Sequence, residues 1–162
     1  MIKETETGLL EAFSPRTVVL HQVNCMGIAE SGTAAAIRAR FPGWYDDYRA
    51  YCSWFKAGAF QSDHTAEIMG TFHRFEAGER LIVCSAFTRR GPGTASETDW
   101  GAWAKVLRRV EHQTRFVNGK LGLDWAIHAP ADLGGGDEAA AREVLEFYFA
   151  NSPVEVYLHQ EA

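Results

Sequence analysis

The sequence is poor in cysteine, in long apolar runs and in clustered positive charge. Its three cysteines, Cys25, Cys52 and Cys84, are an odd number with no two at metal-knuckle spacing, so no disulfide framework is expected. A reducing cytoplasm is the simplest compartment for such a chain. No apolar run approaches the roughly 20 residues that cross a bilayer, and the polar, acidic N-terminus differs from a signal peptide. We therefore expect a cytoplasmic protein that does not use a membrane as partner.

Basic residues are scattered along the chain. The net charge is −5, and adjacent basic pairs of note occur only at 89–90 and 108–109. The sequence therefore lacks the basic stripe with which proteins grip many phosphates of duplex DNA. A single phosphorylated small molecule remains compatible with this charge, because helix and backbone dipoles can bind it.

Several signatures of catalytic and metal sites are missing as well. The sequence contains no Gly-x-Ser-x-Gly elbow and no phosphate loop with its lysine. Its histidines show no His-x-x-x-His spacing and no clustering with cysteine. Neither a metal nor a cofactor is therefore expected.

The order of strand-like and helix-like stretches predicts the fold class. Predicted strands cover residues 17–23, 65–75, 80–87, 125–129 and 154–158, with a turn at 76–79. Predicted helices cover 33–41, 45–55, 98–116 and 137–149, and 89–96 is expected to be a long exposed loop. This order favours one α/β domain over residues 1–162, with a mainly parallel or mixed sheet between helices. A hydrophobic content of 46% is sufficient for its core.

The first candidate site follows the strand at 17–23. Asn24 stands where that strand ends, and a glycine-containing loop leads from it into a helix. Ligands of α/β folds bind at the carboxyl ends of strands, and a helix N-terminus there attracts anions. The Asn24 amide suits a ribose diol. An asparagine that holds its own turn through backbone hydrogen bonds is an equally valid interpretation.

A second glycine-bearing turn, Gly134-Gly135-Gly136-Asp137, precedes the helix at 137–149. Glycines let a backbone approach a ligand closely. Two such turns at neighbouring strands could hold a diphosphate between two sets of N–H donors. The alternative is that Asp137 is only the N-cap of its helix.

His21 lies three residues before Asn24 on the same predicted strand. Alternation places His21 and Val23 on one face of the sheet, and Gln22 and Asn24 on the other. A core histidine is then the simpler interpretation. An acid or base role requires that the strand twist or end early.

Residues 23–27 (V-N-C-M-G), 31–37 (S-G-T-A-A-A-I), Phe41-Pro42 and 45–48 (Y-D-D-Y) together resemble the macro domain family. They are most similar to its branch of ADP-ribose-phosphate phosphatases and small-macrodomain ADP-ribosyl hydrolases. His21, the strand at 81–87, the segment 98–103 and the run 133–137 (L-G-G-G-D) add to the likeness. The resemblance covers roughly residues 8–158.

This resemblance implies a three-layer α/β/α fold with a mixed central sheet and a cleft for ADP-ribose. It implies that Asn24, Gly27, Ser31, Gly32 and Thr33 contact the distal ribose and a phosphate. It also implies that Gly134, Gly135 and Gly136 hold the diphosphate. His21, Asn24 and Asp137 would then be catalytic, with Asp137 assisting attack on the anomeric carbon or the phosphorus.

Two functions follow from the resemblance. One is hydrolysis of an ADP-ribose derivative, at the terminal phosphate of ADP-ribose 1″-phosphate or at an ADP-ribosyl linkage. The alternative is a non-catalytic module that binds ADP-ribose or a related nucleotide. The expected partner is ADP-ribose or a derivative, which includes an ADP-ribosylated macromolecule.

Four features depart from the family pattern. Gly8 stands where the family usually has an adenine-recognising Asp, and the segment from Pro130 to Asp137 lacks several residues of the family's usual second phosphate loop. Ala29-Glu30 stands where glycine is commoner in the family, and Glu30 would repel a phosphate if it pointed inward. One deglycosylating branch uses a lysine nucleophile near Thr88-Arg89. Arg89 cannot replace that lysine, because a guanidinium stays protonated and does not readily form a Schiff base.

Overall fold

In the part of the chain that the structure describes, a six-stranded sheet has helices on both of its faces. The computed structural model describes residues 1–11, 13–30, 32–58, 67–91 and 97–161. The strands are β1 (Ile2–Gly8), β2 (Thr17–Asn24), β3 (Phe72–Gly78), β4 (Leu81–Arg89), β5 (Ala126–Pro130) and β6 (Val156–Glu161). The helices are α1 (Gly32–Arg40), α2 (Pro42–Gly58), α3 (Trp100–Leu121) and α4 (Glu138–Phe149).

The sheet is mixed, as the sequence predicts. Its strand order is β1-β6-β5-β2-β4-β3. All neighbouring pairs are parallel except the antiparallel pair of β3 and β4. The carboxyl ends of β2, β4 and β5 therefore lie at one edge of the sheet, where ligands of α/β folds bind.

Two separate cores pack against the two faces of the sheet. On one face, Val18 and Leu20 of β2 contact residues of α3 and α4. On the other face, Val19 and Val23 contact residues of α1 and α2. Side chains alternate between faces along a strand, so one strand supplies both cores. The three-layer α/β/α fold is confirmed.

Most predicted elements are confirmed with small shifts of their ends, but the prediction of a strand over 65–75 is wrong before Phe72, and its residues 65–66 lie outside the described residues. Residues 67–68 are helical and residues 69–70 form a turn, in which Gly70 has φ +81° and donates its N–H to the Phe87 carbonyl. The predicted turn at 76–79 also begins too early, because β3 continues to Gly78. Of the predicted exposed loop, residues 92–96 lie outside the described residues.

Sequence patterns did not predict β1. This strand is polar and largely exposed, with the sequence IKETETG, and it pairs in parallel with β6 at the sheet edge. Its strand conformation depends on ladder hydrogen bonds to residues more than 150 positions away, such as the pair Ile2 and Val156. The local pattern of apolar and polar residues therefore could not predict β1.

Candidate functional site

A cleft opens at the carboxyl ends of β2, β4 and β5, between two loops. We call residues 25–30 the first loop and residues 131–137 the second loop. The first half of the cleft has a volume of about 550 Å³ and lies against β2, the first loop and the start of α1. The second half, of about 560 Å³, lies between the second loop and the start of α3. Arg89 and Gly134 line both halves.

The Asn24 side chain is held by the first loop. Its Oδ1 accepts hydrogen bonds from the backbone N–H groups of Met26 (2.9 Å) and Ile28 (3.3 Å). Its Nδ2 donates to the Ile28 carbonyl at 2.7 Å. Asn24 lines the first half of the cleft but is only 8% exposed. The turn-holding interpretation therefore describes its contacts, and contact with a ribose stays a prediction.

Tyr48, which the motif included without a role, supports Asn24 from below. Its hydroxyl donates to the Asn24 carbonyl at 2.6 Å and lies 3.3 Å from Oδ1. Burial raises the pKa of the Tyr48 hydroxyl well above its usual range, so the group stays protonated and can donate. The Tyr48 ring stacks on Trp44 at 5.2 Å, which fixes the position of the hydroxyl.

The remaining residues predicted in the first loop fall in different places. Gly32 and Thr33, at the start of α1, line the cleft. Gly27 is buried with φ +76°, and a Cβ there would lie 3.4 Å from Arg49 Cγ, so it packs on α2 instead. Ser31 lies outside the described residues. The described part of the loop also brings Glu30 to the cleft wall.

The second loop wraps around one of its own carboxylates. Asp132 Oδ1 accepts the N–H of Gly134 at 2.7 Å, and Oδ2 accepts the N–H of Gly136 at 3.1 Å. The Asp132 carbonyl accepts the N–H of Gly135 at 2.9 Å. In this geometry Asp132 engages the three N–H groups that were predicted to hold a diphosphate. An Asp two residues before a glycine is a known turn signal, and it was the available clue.

The conformation of the second loop is demanding. Leu133 has φ +55°, and Gly134 and Gly136 have φ +85° and +75°. The Leu133 side chain is fully buried in the α3/α4 core, which offsets the cost of the left-handed backbone at a residue with a Cβ. Gly135 packs so closely on Trp100 that a Cβ there would lie 2.8 Å from the indole ring. The loop shape is therefore set by α3 as well as by its glycines.

Asp137 is the N-cap of α4. Its Oδ1 accepts the N–H of Ala140 at 3.0 Å. The residue is also exposed and lines the second half of the cleft. The location of Asp137 therefore agrees with both interpretations of the sequence, as the N-cap of its helix and as a residue of the ligand cleft.

His21 lies in the core beneath the site. It is 0% exposed, and a hydrogen bond of 2.7 Å joins its Nε2 to Ser85 Oγ, which also accepts from the Trp44 indole N–H. Burial, reinforced by the nearby His73, lowers the pKa of His21 to about 3. The residue does not line the described cleft, so the structure does not place it beside Asn24 and Asp137 as an acid or base. The core interpretation fits its contacts.

Gln22 is a site residue that the sequence reasoning left without a role. Its Nε2 donates to the Gly134 carbonyl at 3.0 Å, and its Oε1 accepts from the hydroxyls of Thr88 and Thr98, each at 2.9 Å. One side chain thus joins β2, β4, the entry to α3 and the second loop. A polar residue near the end of a largely buried strand was the only local signal for it.

The described residues contain neither a metal-binding cluster nor a membrane-spanning helix. In the described ranges, no group of three His, Cys, Asp or Glu side chains is arranged to hold a metal ion. No helix within those ranges is long and apolar enough to cross a membrane. Cys25, Cys52 and Cys84 are buried.

Comparison with solved structures identifies the fold. The chain is similar to the macrodomain of Thermus aquaticus DarG, with a TM-score of 0.71 and 18% identity over 99% of this chain and 98% of that one. A macrodomain protein from Streptomyces coelicolor gives a TM-score of 0.70 and 17% identity, with 98% of this chain and 99% of that chain covered. Thermosipho africanus DarTG, solved in complex with ADP-ribose, gives a TM-score of 0.62 and 18% identity over 91% of this chain and 39% of the longer one.

Comparison by sequence gives no match, whereas comparison by structure does. No protein-family model matches the sequence, and no curated protein matches it. The first two structures nevertheless match nearly the whole chain, although their sequences are only 17–18% identical to it. The chain therefore has the macrodomain fold.

Proposed function

We propose that the chain binds ADP-ribose or one of its derivatives in the cleft between the first and second loops. The observation that carries the proposal is the convergence of the α1 N-terminus and the second loop on one cleft at the carboxyl ends of β2, β4 and β5. A volume of about 550 Å³ for the first half is in the range of small-molecule sites. A similar fold, that of Thermosipho africanus DarTG, was solved with ADP-ribose bound.

The parts of the cleft would have distinct roles. The start of α1 offers backbone N–H groups that have no partner within the helix, and the positive end of a helix dipole, at Gly32 and Thr33. Among the described residues, Asn24 Nδ2 donates one hydrogen, to the Ile28 carbonyl, so its second hydrogen could donate to a ribose hydroxyl. Gln22 holds the second loop at a fixed distance from β2 and so defines the width of the cleft.

Calorimetric titration with ADP-ribose tests this proposal. A Thr33→Phe variant, which places a bulky ring on the cleft wall, should lose binding. Ala36→Phe is the matched control, because Ala36 is exposed on the same helix and does not line the cleft. Binding that is unaffected by Thr33→Phe, or no binding by the wild-type chain, would contradict the proposal.

Hydrolysis of the bound ADP-ribose derivative is the second candidate function, favoured by the exposed carboxylate of Asp137 on the cleft wall. The carboxylate would accept a proton from a water molecule as the water oxygen attacks the anomeric carbon or the phosphorus. The bond to the leaving group breaks in the same reaction, and that group departs with its electron pair. His21 would support the strand from the core and would not exchange protons with the ligand.

An Asp137→Asn variant separates catalysis from folding. Asparagine keeps the N-cap hydrogen bond to Ala140 but cannot accept the water proton. We expect normal melting temperature and ligand binding with loss of turnover of ADP-ribose 1″-phosphate or of an ADP-ribosylated protein. Asp99→Asn, at the equivalent N-cap of α3, is the control. Tight binding without turnover by the wild-type chain would instead support the non-catalytic alternative.

A further inference from the structure

The cleft has fewer free anion-binding N–H groups than its sequence suggests. The N–H groups of Gly134 and Gly136 are bound to the Asp132 carboxylate. The N–H groups of Met26 and Ile28 are bound to the Asn24 amide oxygen. A phosphoryl group that enters between the loops would have to compete with these short internal hydrogen bonds.

The carboxylates on the cleft wall add to this difficulty. Glu30 lines the first half, and Glu97, Asp132 and Asp137 line the second. Negative charges in a partly desolvated cleft repel a phosphate. A cation near the middle of the cleft would offset this repulsion and favour a phosphorylated ligand.

Arg89 is placed to supply that cation. It is the last residue of β4, opposite Asn24 in the sheet register, and it lines both halves of the cleft. Among the described residues on the cleft wall it is the only lysine or arginine. Its guanidinium Nε is buried and has no hydrogen-bond partner in the described part of the chain. A buried donor of this kind costs free energy unless a partner pairs with it.

We propose that Arg89 binds a phosphoryl group of the ligand at the junction of the two halves and so makes the site specific for phosphorylated ligands. This inference rests on the proposed function for the identity of the nucleotide, but its chemistry concerns the anion alone. The planar guanidinium can donate two parallel N–H groups to two phosphoryl oxygens. A guanidinium group in a protein acts as a permanent positive charge and not as a nucleophile.

Titrations with four compounds test the role of Arg89. The compounds are ADP-ribose, ADP-ribose 1″-phosphate, inorganic pyrophosphate and uncharged adenosine. The proteins are the wild type, Arg89→Gln, Arg89→Lys and the control Arg108→Gln, which removes one positive charge from an exposed position on α3. Melting temperatures establish that each variant is folded.

We expect Arg89→Gln to weaken binding of the phosphorylated compounds roughly ten- to hundred-fold, the range for a charged hydrogen bond. Arg89→Lys should recover part of the loss, and Arg108→Gln should show none. Adenosine binding should not change with any variant. A loss shared by ADP-ribose and pyrophosphate assigns Arg89 to the internal diphosphate, whereas a loss confined to ADP-ribose 1″-phosphate assigns it to the terminal phosphate.

Two outcomes separate this inference from the proposed function. Equal affinities of the wild type and a folded Arg89→Gln variant for all phosphorylated compounds overturn the inference and leave ADP-ribose binding standing. Binding of pyrophosphate that depends on Arg89, without binding of either ADP-ribose compound, overturns the proposed function and supports the anion site. A wild-type chain that binds no phosphorylated compound overturns both.

Discussion

Two buried histidines make the folded state sensitive to acid. His21 is fully buried, and its pKa falls to about 3 because burial disfavours the charged imidazolium and His73 adds a second, smaller repulsion. His128 is also buried, and its pKa falls to about 4 through burial and the neighbouring His159. In the unfolded chain both titrate near the ordinary value of about 6.5.

The direction of the effect follows from proton binding. Between about pH 6.5 and pH 4 the unfolded chain binds protons at these two positions and the folded chain does not, so stability falls as the pH falls. Each pKa unit corresponds to about 1.4 kcal/mol. At about pH 5 each histidine therefore lowers the free energy of unfolding by about 2 kcal/mol relative to neutral pH, and the two together by about 4 kcal/mol. Above about pH 6.5 their effect vanishes.

Urea unfolding followed by tryptophan fluorescence, at neutral pH and at about pH 5, measures this loss. A His21→Gln variant should lose about 2 kcal/mol less than the wild type over the same interval, whatever its stability at neutral pH. Comparing the two intervals cancels the contribution of carboxylates common to both proteins. His112→Gln, at an exposed histidine of α3, should behave as the wild type does. A His21→Gln variant with the same acid sensitivity as the wild type would refute the reasoning.

Three further predictions concern the loops and the helix caps. Gly135→Ala should lower the melting temperature, at a cost in stability of about 1–3 kcal/mol. The new Cβ would lie 2.8 Å from Trp100 and 3.0 Å from Thr98 Oγ1. The control Gly78→Ala, where a Cβ meets nothing within 4 Å, should not lower the melting temperature. Asp99→Ala should cost about 1 kcal/mol in urea unfolding, since the side chain caps α3 at the N–H of Ala102; an unchanged midpoint would contradict this. In calorimetric titration, the Asp132→Asn variant should bind pyrophosphate several-fold more tightly than the wild type, because the substitution removes one negative charge from the second loop. Weaker binding by a folded variant would contradict this and would show that the Asp132 carboxylate shapes the site through its hydrogen bonds.

Alternating hydrophobicity was sufficient to predict most of the fold. In β2, Val18 and Leu20 alternate with Val19 and Val23, and this pattern already implies a strand with both faces covered. In α3, the apolar positions recur at helical spacing, so its buried face was predictable in the same way. These features depend on neighbours in sequence, where the local pattern holds the information.

The site required information of a different kind. Asn24, Gly32, Thr33, Gly134 and Asp137 line the cleft, and their contact with a ligand stays a prediction. Which of their polar groups are free was not predictable, because it depends on hydrogen bonds whose geometry the folded backbone sets.

The burial of His21, the contacts of Gln22 and the position of Arg89 are the clearest cases. Gln22 and Gly134 are 112 positions apart, yet they hydrogen-bond. Arg89 reaches both halves of the cleft only because β4 lies beside β2 in the sheet. Short-range periodicity specifies strands, helices and glycine turns, whereas the polar groups that remain available to a ligand depend on which distant segments the sheet brings together.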